Sequence, residues 1–237
     1  MDQQETRRSL AAREHYSFDD LCRITAILRG EGGCPWDREQ THGSIRRCMI
    51  EEAYEVVEAI DNQDPVLLRE ELGDVLFQVV FHAQIERETG RFDVGDVIDG
   101  ISRKMIRRHP HVFGNGSAVD GADALSQWEA IKTEEKQRRT LSSRLRAIPP
   151  MLPALLRAQK VNEKLGTSRG ETAPLSALLA GQAAAFTENP TAETMGTLLF
   201  TVAKIAAATG LDAEESLAKQ TEKAISEAEK REIPEKN

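Results

Sequence analysis

The run DPVLLREELGDVLFQVVFHAQIERE, residues 64–88, decides the fold. At 100° per residue its apolar side chains point in almost every direction, leaving one polar stripe of Glu71, Asp74, Gln78 and His82 at i, i+3, i+7 and i+11. A segment of this length and period is a core helix, and the stripe interrupts an otherwise core-forming surface. Neighbouring stretches repeat the helical period at 41–61 and at 93–108, the latter opening at Asp93 and closing before Pro110. Upstream, Ser17 with Asp20 at the capping-box position starts a helix through Leu21, Ile24, Ile27 and Leu28 that stops at Gly30. A turn-rich loop, Gly32-Gly33-Cys34-Pro35-Trp36-Asp37, follows it. Alternating β-branched runs are absent, so the expected fold class is all-α.

Residues 114–123, GNGSAVDGAD, read as a linker, and a charged helix over 124–138 is expected to bridge two halves. Pro149, Pro150 and Pro153 mark a second boundary, with helical stretches beyond it at 153–165, 174–187, 191–209 and 212–231. The expected organisation is an extension (1–16), a first helical domain (17–114), a linker with the bridging helix (115–150) and a second repeat (151–237). The two halves share a pattern. ELGDVLF at 71–77 returns as TMGTLLF at 194–200, which keeps the apolar and glycine positions and replaces the acids.

Composition sets the outer limits. The 237 residues carry 31 Lys+Arg against 39 Asp+Glu, a formal net charge of −8. Binding to nucleic acid or an anionic membrane needs a basic face, so this balance argues against both. Hydrophobic residues make up 40% and charged residues 30%, as in globular chains, and aromatics at 5% leave the cores aliphatic. Cys22, Cys34 and Cys48 are odd in number and form no CxxC pair, which fits a reducing compartment. No run approaches the roughly 20 apolar residues of a bilayer span. The first fifteen residues lack the apolar stretch of a secretory signal, so a cytoplasmic location is expected.

The chemistry concentrates in Glu51-Glu52-x-x-Glu55 and Glu71-x-x-Asp74. Positions three apart share a helix face, so Glu52 converges with Glu55 and Glu71 with Asp74. Along 41–61 the apolar arc is Met49, Ile50, Ala53, Val56, Val57 and Ile60; Glu52 flanks it with Glu55 beside it, while Glu51 and Glu58 point further out. A lone EExxE is the mark of a solvated helix face. A second acidic pair on a mostly buried helix changes the reading, because four carboxylates brought together cannot stay ionised without compensation. An all-oxygen ligand set suits Mg²⁺, with Mn²⁺ as an alternative, over zinc. On the next helix Lys104 and Arg108 stand at i, i+4 with Arg103 and Arg107 nearby, where they can meet phosphate oxygens or complement the helix dipole. Carboxylates, a divalent ion and cations together point to a phosphate ester or anhydride.

GGCPWDREQTH (32–42), EEAYE (51–55), ELGDVLFQVVFHAQ (71–84) and RRHPHVFG (107–114), in this order and spacing, closely resemble the N-terminal repeat of MazG nucleoside triphosphate pyrophosphohydrolases. IKTEEK (131–136) and LPALLRAQKVNEKLG (152–166) continue the likeness into the family's second repeat. The resemblance implies tandem all-α bundles, Mg²⁺ dependence and hydrolysis of an NTP to NMP and pyrophosphate. It assigns Glu52, Glu55, Glu71 and Asp74 to the metal, and Lys104 and Arg108 to the substrate phosphates, with Arg107 beside them. Glu51 and Glu55 are the candidates for general base, and a homodimer is expected. The second half departs from the pattern. Thr194 and Thr197 stand where Glu71 and Asp74 are expected, and Gly181-Gln182-Ala183-Ala184-Ala185 falls where EExxE is expected, so this repeat reads as catalytically silent.

Weaker candidates surround the main one. Trp36 is placed to stack on a base or to anchor its loop. His109 and His111 read as a structural terminus, and His82 as a core or supporting histidine. Glu39-x-x-His42 resembles half of a di-iron motif whose second copy is missing. Two competing functions are a narrower house-cleaning pyrophosphatase for dUTP, dCTP or a modified nucleotide, and a nucleotide-binding protein with weak or no turnover.

Overall fold

A computed structural model describes residues 3–135, 140–167, 170 and 173–232. Among the described residues every regular element is an α-helix. They fall into two compact units, Met1–Lys132 and Thr133–Asn237.

The first unit opens with α1 (Gln3–Ala11) and α2 (Phe18–Arg29). The Ser17 hydroxyl accepts from the Asp20 amide while Asp20 accepts from the Ser17 amide, completing the expected capping box. Buried Asp20 also takes Arg13 at 2.6 Å, which ties the N-terminal extension to α2. The chain then doubles back on α2 through two glycines with different duties. Gly32 holds φ +66°, and at Gly33 a Cβ would lie 2.3 Å from the carbonyl oxygens of Ile27 and Leu28.

The expected loop is partly helical: Pro35 opens α3 (Pro35–Glu39), its fixed φ suiting a first helical position. The helix expected from residue 41 starts later, as α4 (Arg46–Asp61). Thr41 and Ser44 exchange side-chain-to-backbone hydrogen bonds at 2.9 and 3.2 Å, and that turn wins over helical periodicity. After three residues α5 (Pro65–Glu88) begins, with the Asp64 carboxylate accepting from the amides of Val66 and Leu67. Helix α5 packs on α4, α2 and α6 (Val94–Arg108). Ile45, Phe81 and Ile85 are buried at its centre, with Cys48 and Phe77 against them. The stretch read as a linker holds α7 (Pro110–Phe113) just before it, and α8 (Gly121–Glu134) begins inside it. Residues 136–138 of the expected bridging helix, and Lys136 of IKTEEK, lie outside the described residues.

The second unit contains α9 (Leu141–Arg146), α10 (Ala154–Lys164), α11 (Ala173–Glu188), α12 (Ala192–Thr209) and α13 (Ala213–Glu232). Helix α12 packs on α10 and α11, burying Ala203, Ala206, Ala207 and Ala208, small side chains that permit close approach. Gly210, at φ 75°, ends α12, and α13 leaves at 110°. Glu214 accepts from the amides of Leu155 and Leu156, satisfying the start of α10 where Pro153 cannot. Among the described residues no single helix is long and apolar enough to cross a membrane.

Candidate metal centre

The short α4–α5 connection folds the two acidic helices into a hairpin. Its consequence is that one carboxylate oxygen from each of Glu52, Glu55 and Glu71 lies within 4.8 Å of the others. Glu71 is buried at 8% exposure, Glu52 is half-buried and Glu55 is exposed, so the cluster forms a rim open to solvent on the Glu55 side. Burial pushes the Glu52 carboxyl above its usual range, helped by a hydrogen bond to Glu55 and by the charges of Asp74, Glu55 and Glu71. Glu71 is raised by burial first, then by the charges of Glu55, Asp74 and Glu70 and a hydrogen bond to Glu55. Glu55 is thus the shared partner, and a carboxyl–carboxyl hydrogen bond needs a proton.

A divalent cation can take that proton's place. The three oxygens are hard donors at ligand spacing, and the raised carboxyls record burial and mutual repulsion that a cation relieves, so these residues fit a divalent cation held by oxygen. Asp74 is exposed on α5 and acts on both Glu52 and Glu71 through its charge. Glu51 is turned elsewhere: its carboxylate accepts from Arg47 at 2.6 Å on the exposed side of α4.

The cationic candidates sit on α6. Lys104 and Arg107 are exposed, and the guanidinium of Arg108 lies 5.2 Å over the ring of Trp128 in α8. Lys132 lies over the same ring at 4.3 Å, so Trp128 holds two cations in place. Sequence reasoning missed Trp128, and an aromatic on a sparsely apolar helix was the available signal. Trp36 is 62% exposed on α3. His109 Nδ1 lies 2.7 Å from the Met105 carbonyl, which fits the structural terminus read from sequence. Also missed was Glu86, whose buried carboxylate joins His42 and Arg91.

In the second unit Thr194, Thr197 and Thr201 spend their polarity on backbone. The Thr194 hydroxyl donates to the Asn189 carbonyl at 2.8 Å, Thr197 to Glu193 at 2.9 Å and Thr201 to Thr197 at 2.9 Å. The metal-type carboxylate cluster found among the described residues is the one on α4 and α5.

Comparison with known proteins establishes a kinship. Residues 40–113 match the MazG nucleotide pyrophosphohydrolase domain, a span that contains the whole cluster. The nucleoside triphosphate pyrophosphohydrolase of Escherichia coli K12 is 42% identical over 219 residues, covering 87% of this chain and 83% of that one. The nucleoside triphosphate pyrophosphohydrolase/pyrophosphatase MazG of Thermotoga maritima is 40% identical over 222 residues, 91% of this chain and 85% of its own. The Mycobacterium tuberculosis nucleoside triphosphate pyrophosphohydrolase is 42% identical over 132 residues, 55% of this chain and 39% of that protein. An all-α chain with this kinship is an enzyme, a hydrolase of phosphoric anhydride bonds. It belongs to the MazG nucleoside triphosphate pyrophosphohydrolase family.

Proposed function

We propose that the chain is a Mg²⁺-dependent nucleoside triphosphate pyrophosphohydrolase that converts NTPs or dNTPs to NMP and pyrophosphate at the first unit's carboxylate cluster. The observation that carries this reading is the convergence of Glu52, Glu55 and Glu71 with raised carboxyls. Glu52, Glu55, Glu71 and Asp74 would hold the ion, which when bound neutralises phosphate charge and makes a coordinated water more acidic. Glu55, exposed at the open edge of the cluster, is placed to accept the proton of the attacking water. Glu51 is the other base candidate and is engaged by Arg47. Attack at the α–β link leaves pyrophosphate, and Lys104, Arg107 and Arg108 offset the charge that develops. Trp128 fixes the direction of Arg108, and exposed Trp36 offers a face for a base.

In the same reading the second unit is a degenerate copy of the first. Helices α11 and α12, joined by three residues, repeat the α4–α5 hairpin, and α10 packs on α12 as α2 packs on α5. The copy keeps the bundle and lacks the carboxylates. The proposed assembly is a cytoplasmic homodimer. Ile50, Val57 and Ile60 on α4 and Leu72 and Leu76 on α5 are 42–55% exposed in the single chain, an apolar surface suited to a second copy.

Incubating the full chain with Mg²⁺ and a panel of NTPs, dUTP and dCTP, with chromatography of the products, tests the function. The expected products are NMP and pyrophosphate in equal amounts. Orthophosphate as the first product would refute the assignment, and turnover confined to dUTP or dCTP would replace it with the narrower one.

A further inference from the structure

Eight residues beyond Asp74, about 12 Å further along α5, a second polar cluster joins α5 to the turn that starts α4. His42 places Nδ1 2.7 Å from Nδ1 of His82 and Nε2 2.5 Å from Oε1 of Glu86. The ring planes differ by 11° with centroids 5.0 Å apart. With the nitrogens so much closer than the centroids, the bridge runs edge to edge, not face over face. Arg91 completes the cluster, donating from Nη2 to Glu86 at 2.8 Å and from Nε to the other carboxylate oxygen.

Chemistry assigns the protons. The Glu86 carboxylate is buried and held below its usual range, chiefly by Arg91, so it accepts and His42 Nε2 carries a hydrogen. Neutral His42 then has a bare Nδ1, to which His82 donates from its own Nδ1. One additional proton on His82 Nε2 leaves that bridge intact. When both rings are fully protonated, two N–H groups face each other and the bridge breaks.

Arg29 reaches in from α2, lies over the Phe81 ring at 5.0 Å and is paired with Glu88. Asp37 of α3 is buried, and its carbonyl accepts from Arg29. Helix α4 contributes Cys48, packed with Ile45 on Phe81 and Ile85. From the start of α6, Asp93 and Asp96 are occupied by their own capping box. Burial, then the charge of His42, lowers the His82 ring below its ordinary value of 6.5.

We propose that His42 and His82 are positioning residues for hydrolysis, forming a clasp that fastens the start of α4 to α5 and sets where Glu52 and Glu55 stand against Glu71. This rests on the function proposed above. Helix α4 starts four residues after His42, so a loosened clasp shifts the helix that carries two of the three clustered carboxylates. A misplacement of ~1 Å costs up to about a hundredfold in such sites.

The test compares the full-length wild type with His82→Leu and His82→Asn. Mn²⁺ affinity is measured by water proton relaxation, and the Mg²⁺ requirement of pyrophosphate release is measured across pH. His82→Leu removes the bridge and should weaken Mn²⁺ binding at least about tenfold near neutral pH. Asn offers an amide N–H where Nδ1 stood and takes up no proton. It should therefore restore binding relative to Leu, and should lessen the wild type's extra loss of affinity in acid, where both rings become fully protonated. Wild-type Mn²⁺ affinity in His82→Leu, or an Asn variant no better than Leu, would overturn the proposal. Should His82→Leu fail to fold, the Asn variant's pH profile decides, and an acid loss identical to wild type refutes the clasp. Wild type that binds Mn²⁺ without releasing pyrophosphate refutes the proposed function, while the Mn²⁺ comparison still judges the clasp.

Discussion

Replacing Glu71 by Gln should exchange activity for stability. Without a divalent ion the wild type holds three carboxylate oxygens within 4.8 Å of one another, and burial and neighbouring charge raise Glu71 and Glu52 above the ordinary 4.5. A carboxyl raised on folding is tolerated fully below its unfolded value, and its contribution is lost as pH rises through the folded value. Comparing variant with wild type isolates the cluster from groups shifted the other way, such as Asp20 and Glu88. In EDTA the two proteins should melt together near pH 4.5, and the variant should melt increasingly higher as pH rises above it. Mg²⁺ reverses the order. An ion present at a hundred times its Kd stabilises by about 2.7 kcal/mol. At ~2.1 cal/mol/K per residue over the 132 residues of the first unit, that is a rise of about 10 °C. Differential scanning calorimetry at pH 5 and pH 8, with EDTA or Mg²⁺, reads both effects. A Glu71→Gln midpoint below wild type in EDTA at pH 8, or an equal rise of both proteins with Mg²⁺, would show that the cluster neither strains the fold nor holds the ion.

Three further substitutions test how the cluster is held. Gly33→Ala puts a methyl 2.3 Å from two carbonyl oxygens and should cost about 1–3 kcal/mol in urea unfolding, with an unchanged midpoint showing that the loop is not seated on α2. Arg29→Met removes the Glu88 ion pair and the donors to the carbonyls of Asp37 and Gln40, and should lower stability by roughly 3 kcal/mol, read by the same titration. Asp64→Ala removes the acceptor for the first amides of α5 and should cost about 1 kcal/mol without altering Mn²⁺ affinity.

What was legible in the sequence was what is local. Ser17 with Asp20 and the polar stripe of α5 follow from spacings within one helix, and both appear as read. Glu52 with Glu55 and Glu71 with Asp74 are legible as pairs three apart, and the short hairpin brings Glu52, Glu55 and Glu71 together. The start of α4 lies later than the helical periodicity indicates because Thr41 and Ser44 satisfy backbone groups through their hydroxyls, which periodicity does not register. Arg108 meeting Trp128 and His42 meeting His82 depend on partners 20 and 40 residues away, and no pattern within one helix reveals them. Leu72 and Leu76 read as core yet are exposed in the single chain, since periodicity reports apolar faces and not what covers them.

Mg²⁺-dependent pyrophosphate release from an NTP by the full chain, compared with Glu71→Gln and with Thr197→Ala in the proposed repeat, decides whether the first unit's carboxylate cluster carries hydrolysis. Glu71→Gln should lose at least about a hundredfold while Thr197→Ala keeps wild-type turnover. Undiminished release by Glu71→Gln, or loss in Thr197→Ala with the fold intact, would place the reaction elsewhere.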